Sequence, residues 1–234
     1  MKGKILITNV LWLLAVTVSV AGCEKRRETT GQVTFSDGQD AEHVLSIVVD
    51  LSGSFEYLMA EQGKAHSFLL QVIDRYFRDR LGTNDRVVVA QISATERALL
   101  WEGTPMQLRR EFPTPEAFRD MLLAKADPAG SRVNDAVSSA IEHVVCEPGV
   151  ASGRTKSAIF VLSDMLDNSP NRQESEQRLK HALAAYGRLG GVFGIYYCDQ
   201  LALPAWRQRL ADAGFREFHV ESEIIGHPPL PTFE

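Results

Sequence analysis

The sequence of 234 residues has only three cysteines, too few for a disulfide scaffold to hold together a fold of this length. It also lacks a basic excess, because 25 Lys and Arg stand against 30 Asp and Glu, a formal net charge of −5. We therefore expect no nucleic-acid partner, since binding to the phosphate backbone needs Lys and Arg. With 44% hydrophobic and 24% charged residues, the composition is that of a globular protein.

Sequence signatures of the common enzyme classes are missing as well. Gly63-Lys64 lacks the upstream glycine of a phosphate-binding loop, because Leu58 stands at that position. The sequence contains neither a Gly-x-Ser-x-Gly nor a Gly-x-Gly-x-x-Gly motif. The six histidines have no close metal-ligand spacing, so no zinc site is expected. We expect a protein that is not an enzyme.

The N-terminus has the pattern of an export signal. Lys2 and Lys4 precede an apolar stretch over residues 5–20, and small residues follow it. The ending Val20-Ala21-Gly22-Cys23 resembles the bacterial lipobox, which implies that Cys23 is lipidated and becomes the first mature residue. The alternative is an uncleaved transmembrane anchor, for which the stretch is of marginal length and is interrupted by Asn9.

Four segments follow from this interpretation. Residues 1–22 are predicted to be a lipoprotein signal peptide, and residues 23–42 the lipidated cysteine with a polar, flexible tether. Residues 43–222 form the globular domain, and residues 223–234, with three prolines, an irregular tail. The lipid anchor places the protein on a membrane of the cell envelope with its domain outside the cytoplasm, and we expect it in the periplasm.

Short apolar runs alternate with amphipathic segments throughout the domain. The runs predict strands at 44–49, 86–92, 99–101, 157–162, 192–197 and 215–220. Apolar spacings of three and four predict helices at 58–77, 115–126, 133–144, 179–186 and 204–213. Alternating strands and helices indicate an α/β fold, with a doubly wound, mostly parallel sheet covered by helices on both faces.

Oxygen-bearing side chains follow two of these strands, where ligands of such folds bind. Asp50, Ser52 and Ser54 come after the first strand, and Asp164 follows the strand at 157–162. Ser131 adds a hydroxyl just before a helix. A donor set made only of oxygens suits Mg²⁺, Mn²⁺ or Ca²⁺ rather than zinc. In the alternative interpretation, Ser52 and Ser54 only cap a following helix.

In this arrangement the segments resemble the von Willebrand factor A domain family. Asp50-x-Ser52-x-Ser54 after a Val/Ile-rich strand is similar to the metal-ion-dependent adhesion site (MIDAS) of that family. The segment 81–89, with Asp85-Arg86 opening a strand, resembles the family's passage from a helix to its second strand. Asp164 and Gly130-Ser131 match the family's last metal carboxylate and its Gly-Thr position. The resemblance covers about residues 43–220.

The resemblance implies that Ser52, Ser54 and Ser131 ligate the cation through their hydroxyls, and that Asp50 and Asp164 do so directly or through water. It also implies that a carboxylate of a partner protein completes the coordination. Arg132, beside Ser131, departs from the family pattern. It could discourage cation binding or hold an acidic ligand, and the sequence leaves both open.

The predicted function is therefore metal-dependent protein–protein interaction by a membrane-anchored lipoprotein. One alternative is a hydrolase that uses Asp50 and Asp164 around the same ion. The other is a metal-free structural module of an envelope complex.

Overall fold

The β-branched runs of the sequence form a single sheet in the computed structural model, which describes residues 40–60, 63–78, 84–93, 98–126, 130–222, 228–230 and 232–233. All of these residues belong to the unit Val33–Glu234. The six strands of the sheet are β1 (His43–Asp50), β2 (Arg86–Ile92), β3 (Leu99–Gly103), β4 (Lys156–Leu162), β5 (Val192–Tyr196) and β6 (Phe218–Glu221).

The strand order β3-β2-β1-β4-β5-β6 places β1 in the middle of the sheet. Strand β1 pairs in parallel with β2 and β4, and β3 is the one antiparallel strand of the described sheet, at its edge. The predicted fold class is confirmed, since the sheet is doubly wound and mostly parallel. The winding direction reverses between β1 and β4, and ligands of such sheets bind beside this switch point at the carboxyl ends of the strands.

Helices cover both faces of this sheet. Those found in the described segments are α1 (Glu56–Met59), α2 (Lys64–Phe77), α3 (Pro105–Glu111), α4 (Pro115–Ala124), α5 (Val133–Val145), α6 (Pro148–Ala151), α7 (Arg172–Arg188) and α8 (Leu203–Asp212).

The side chains of β1 alternate between two apolar cores, as expected for a central strand. Val44 and Val48 pack in the core that α5, α7 and α8 cover. Leu45 and Ile47 pack in the opposite core, under α2 and α4. Every residue of β1 after His43 is buried, which makes this strand a fixed support for the loop that follows Asp50.

The structure differs from the predicted helices in several places, one of which is the short helix α6, which was not predicted. The helix expected over 58–77 is divided into α1 and α2, because Ala60 and Gly63 have extended backbone conformations. A Cβ at Gly63 would lie 2.1 Å from the carbonyl oxygen of Leu58, so only glycine fits this break. Helix α3 was not predicted, although Thr104 and Gln107 form a capping box at its start.

The predicted signal peptide, Cys23 and residues 24–39 of the tether lie outside the described residues. The last part of the tether contacts the domain: Arg154 pairs with Asp40 at 2.6 Å, and the Thr155 hydroxyl donates to the Ala41 carbonyl. None of the helices in the described ranges combines the length and the apolar composition needed to cross a bilayer.

The described part of the C-terminal tail packs on the α2 side of the sheet. Leu230 is buried in that core, and the Tyr196 hydroxyl donates to the Pro229 carbonyl at 2.9 Å. The Phe233 ring lies 4.7 Å from the His43 ring and 5.2 Å from the Tyr76 ring, measured between centroids. Residues 228–230 and 232–233 form neither helix nor strand.

Candidate metal centre

Asp50 ends strand β1 as a fully buried carboxylate held by two hydrogen bonds. One of its oxygens accepts from the Ser52 backbone N–H at 2.9 Å. The other accepts from the Ser163 hydroxyl at 2.7 Å, across the switch point and 113 residues away in sequence. Ser163 also accepts from the Met165 N–H at 2.8 Å, so it joins the two loops from a fully buried position.

Ser54 connects the loop after β1 with the loop after β4. Its hydroxyl lies 3.3 Å from the Ser52 hydroxyl and donates to Asp164 at 3.3 Å. Asp164 is half-buried, and its second oxygen accepts from the Leu166 N–H at 3.0 Å. Four of the five predicted ligands, Asp50, Ser52, Ser54 and Asp164, thus belong to one hydrogen-bonded group at the carboxyl ends of β1 and β4.

Ser131, the fifth predicted ligand, precedes α5 on a segment that is fastened to the same loop after β4. Its backbone N–H donates to the Asn168 side-chain oxygen at 2.8 Å, and its carbonyl accepts from the Asn168 N–H at 2.9 Å. The Ser131 hydroxyl oxygen is buried and has no hydrogen-bond partner within the described part of the chain. A buried hydroxyl without a partner is costly, so this oxygen fits a ligand from outside the protein.

Asp167 also holds the start of α5 to the loop after β4. Its carboxylate accepts from the Asn134 N–H at 3.1 Å and from the Ser169 hydroxyl at 2.8 Å. Asp167 therefore satisfies one of the free N–H groups at the start of this helix. The structure thus gives Asp167 a capping role at the start of α5.

The side chain of Arg132 is turned toward its own helix. Its guanidinium pairs with Asp135 at 2.7 Å, and the Arg178 guanidinium approaches the other oxygen of Asp135 at 3.9 Å. The positive charge that departs from the family pattern is therefore balanced by a neighbouring carboxylate. The sequence left open whether Arg132 repels a cation or holds an acidic ligand. The pairing with Asp135 reduces the positive charge that Arg132 presents to either of them.

Burial controls the acidity of Asp50. Removal from water raises the pKa of its carboxyl above the ordinary 3.8, hydrogen bonds from Ser52 and Ser163 oppose this rise, and the nearby negative charge of Asp164 adds to it. Because the folded-state pKa is raised, the contribution of Asp50 to stability is present below its unfolded pKa and lost as the pH rises through the folded-state value. A cation beside Asp50 would offset this loss at neutral pH.

We expect the affinity for Mn²⁺ to fall with decreasing pH, because a proton on Asp50 competes with the ion. The fall is about tenfold for each pH unit below the raised pKa, and it begins at a higher pH than the ordinary 3.8 would predict. Calorimetric titrations at several pH values measure it. An affinity that stays constant down to about pH 4 would contradict the role of Asp50.

Two further groups of acidic and histidine side chains could hold a metal ion. The first group is Glu42, His43 and Asp85, and the second is Glu102, His143 and Glu147; within each, the ligand atoms lie within 4.8 Å of one another. In the second, Arg86 pairs with Glu102 at 3.3 Å and with Glu147, so a guanidinium already supplies positive charge there.

Both groups lie near the amino ends of β1 and β2, whereas Asp50 lies at the carboxyl end of β1. His43 and His143 are partly buried, as the sequence led us to expect. Each contacts a carboxylate from a distant part of the chain, Asp85 for His43 and Glu102 for His143.

The fold and the site define a Rossmann-like, doubly wound α/β protein with a group of oxygen donors at its switch point. No protein-family model matches the chain, and no curated protein matches it significantly. Among solved structures it is similar to the TFIIH p34 N-terminal domain, at 14% identity and a TM-score of 0.52, over 77% of this chain and 90% of that one. It is also similar to the pilus adhesin SpaC from Lactobacillus rhamnosus GG, at 11% identity and a TM-score of 0.54.

The match to the adhesin covers 80% of this chain but 28% of the adhesin. At these identities the likeness shows the fold, and the chemistry of the site has to be argued from the residues of this chain.

Proposed function

We propose that this chain is a membrane-anchored lipoprotein with a von Willebrand factor A-like domain. The domain binds one divalent cation at a MIDAS-type site made of Asp50, Ser52, Ser54, Ser131 and Asp164. Through that cation it engages an acidic residue of another protein. The observation that carries the proposal is the contact of Ser54 with Asp164, at 3.3 Å, which joins loops separated by 110 residues.

The donor set of this site fits a hard cation. It consists of hydroxyl and carboxylate oxygens without sulfur or imidazole, and Mg²⁺ needs only one or two carboxylates because it retains several waters. The buried Ser131 hydroxyl, which has no partner among the described residues, would gain one on binding the ion. Burial and the nearby charge of Asp164 raise the pKa of Asp50. A cation between the two carboxylates would stabilise their ionised forms, so it is favoured at this site.

When bound, the cation supplies a Lewis-acidic positive charge. Hydroxyl donors add no charge, and a carboxylate that acts through a water neutralises the ion less than one in direct contact. With Ser52, Ser54 and Ser131 as ligands and only Asp50 and Asp164 as anions, the ion would keep positive charge at a coordination position that a further carboxylate can fill. A Glu or Asp of a partner protein supplies that group, and it makes the interaction directional and sensitive to chelators.

Calorimetric titration of the detergent-solubilised full chain with Mg²⁺ and Mn²⁺ tests this proposal. We expect one bound ion, lost in Ser131→Ala and retained in Glu102→Gln, which disrupts the group at the opposite edge. Retention in Ser131→Ala with loss in Glu102→Gln would place the ion elsewhere. If neither heat nor a thermal shift accompanies either ion, the metal-free structural module is the better interpretation.

The anchor is tested separately by Cys23→Ser in a bacterium that processes lipoproteins. We expect the domain either to be released in soluble form or to remain as an uncleaved precursor, because lipidation of the thiol is lost. Immunoblots of membrane and soluble fractions measure both outcomes.

The matched control for this variant is Cys198→Ser, which removes a buried free thiol from the domain. It should leave both membrane retention and processing unchanged. Normal cleavage together with full membrane retention in Cys23→Ser would exclude a lipid on this cysteine.

A further inference from the structure

The most exposed large apolar side chains of the described residues are concentrated beside the candidate metal centre. Leu201 is 91% exposed, Tyr57 is 71% exposed and Leu166 is 51% exposed. The other large apolar side chains on the described surface are each at most 42% exposed: Leu99, Met106, Leu123 and Leu189. Single exposed apolar residues are common, but a group of them around a polar site indicates an interaction surface.

These three side chains, which we call the apolar rim, belong to the segments that follow β1, β4 and β5. Tyr57 lies in α1, three residues after Ser54, and Leu166 lies two residues after Asp164. Leu201 belongs to the third loop, after β5. Because parallel strands end at the same edge of the sheet, the three residues share that edge with the predicted cation ligands.

Hydrogen bonds hold these loops together. The Leu166 N–H donates to the Asp164 carboxylate at 3.0 Å, and the Asp199 N–H donates to the Asp164 carbonyl at 2.9 Å. The Leu201 N–H donates to the Asp199 carboxylate at 2.8 Å. The backbone of the rim is therefore fixed against the candidate ligand Asp164, while the side chains remain exposed.

The loop after β1 is joined to the loop after β5 by an aromatic contact. The rings of Phe55 and Tyr197 meet edge to face, with 5.9 Å between their centroids. Phe55 lies between Ser54 and Tyr57, so this contact brings the third member of the rim into the same group of loops. The loops after β1, β4 and β5 thus form one connected surface.

We infer that Tyr57, Leu166 and Leu201 bind bulky apolar residues on either side of the acidic residue that reaches the cation. The partner is thus a protein segment with one Asp or Glu flanked by large apolar side chains. This inference rests on the proposed function. The complementarity is of charge and of polarity: Asp50, Asp164 and Asp199 repel an acidic segment unless the cation is bound, whereas burial of the rim favours apolar flanks.

The test uses short synthetic peptides with one central Glu, flanked either by Leu and Phe or by Ser. Their binding to the full chain is measured in Mn²⁺ and in EDTA. We expect the apolar-flanked peptides to bind roughly tenfold more tightly than the Ser-flanked peptides, and both to lose binding in EDTA. The triple variant Tyr57→Ser, Leu166→Ser, Leu201→Ser should lose this preference and keep its affinity for Mn²⁺.

A control triple variant, Met106→Ser, Leu123→Ser, Leu189→Ser, replaces three less exposed apolar side chains elsewhere and should keep the preference. Equal affinity for both peptide classes, in a protein that binds Mn²⁺, would overturn the inferred binding role of the apolar rim and leave the proposed function intact. Equal loss of the preference in both triple variants would also overturn the rim. Absence of Mn²⁺ binding would overturn the proposed function, and the inference with it.

Discussion

Replacing Asp164 with asparagine is expected to weaken Mn²⁺ binding by on the order of 100-fold or more, since even groups that only support metal ligands are worth 10- to 100-fold. Asparagine keeps the size of the side chain and the acceptor for the Leu166 N–H, but it removes one of the two carboxylates at the site. In the cation-free protein the same change removes a negative charge that raises the pKa of Asp50. We therefore expect the cation-free fold to be unharmed while the affinity collapses. Calorimetric titration and thermal melts measure the two effects.

The matched control for this variant is Asp199→Asn, because Asp199 belongs to the adjoining loop and its N–H contacts the Asp164 carbonyl. It makes the same change in charge without removing a predicted ligand. A ligand role for Asp164 predicts that the control loses only a few-fold in affinity, as expected for a screened charge near the site. If both variants lose the same Mn²⁺ affinity, Asp164 contributes to binding only through its negative charge and is not a ligand.

Replacing Trp206 with alanine is expected to lower the free energy of unfolding by about 3–5 kcal/mol. Trp206 is 1% exposed, and it fixes α8 in the core that also contains Phe215 and Val220. The smaller side chain leaves a cavity that the surrounding helices fill only in part. Chemical denaturation, followed by circular dichroism, measures the change in stability.

Trp101 offers a control with the same chemistry in a different environment. It lies half-buried on the edge strand β3, where its indole N–H donates to Glu111 at 2.7 Å. Trp101→Ala should cost clearly less than Trp206→Ala, because the removed ring is partly solvated in the folded protein. If both variants unfold at the same denaturant concentration, packing around Trp206 contributes less than its burial indicates.

The strands of this protein could be predicted from local composition because burial on both faces selects continuous β-branched runs. The run at 44–49 predicted β1, and the run at 192–197 predicted β5 to within one residue. The helix expected over 58–77 was wrong at its start, because the approach of residue 63 to the Leu58 carbonyl breaks it. The capping box of Thr104 and Gln107 was a readable signal for α3, but without a long apolar face it was not recognised.

The candidate site, too, was predictable in part from the sequence. Asp50, Ser52, Ser54 and Asp164 were selected because they follow strands, and the structure places them in one hydrogen-bonded group. Ser163 was not among the residues selected for the site, whereas the structure gives it a buried hydrogen bond to Asp50.

Two further residues of the site were not selected as parts of it. Asn168 fastens Ser131 to the loop after β4, and Asp167 caps α5. Their roles come from contacts across 37 and 33 residues, respectively, which no local motif records.

By itself, the sequence determined which segments become strands and helices, that the sheet is mostly parallel, and which oxygen-bearing residues lie at the ends of its strands. These properties follow from periodicity and residue type over a few positions. Only the tertiary structure decided that Ser54 reaches Asp164, that Arg132 is balanced by Asp135, and that the rim residues are exposed. The physical reason is that these properties depend on side-chain rotamers and on contacts between separate loops. Both are set by the packing of the whole sheet and not by the local sequence.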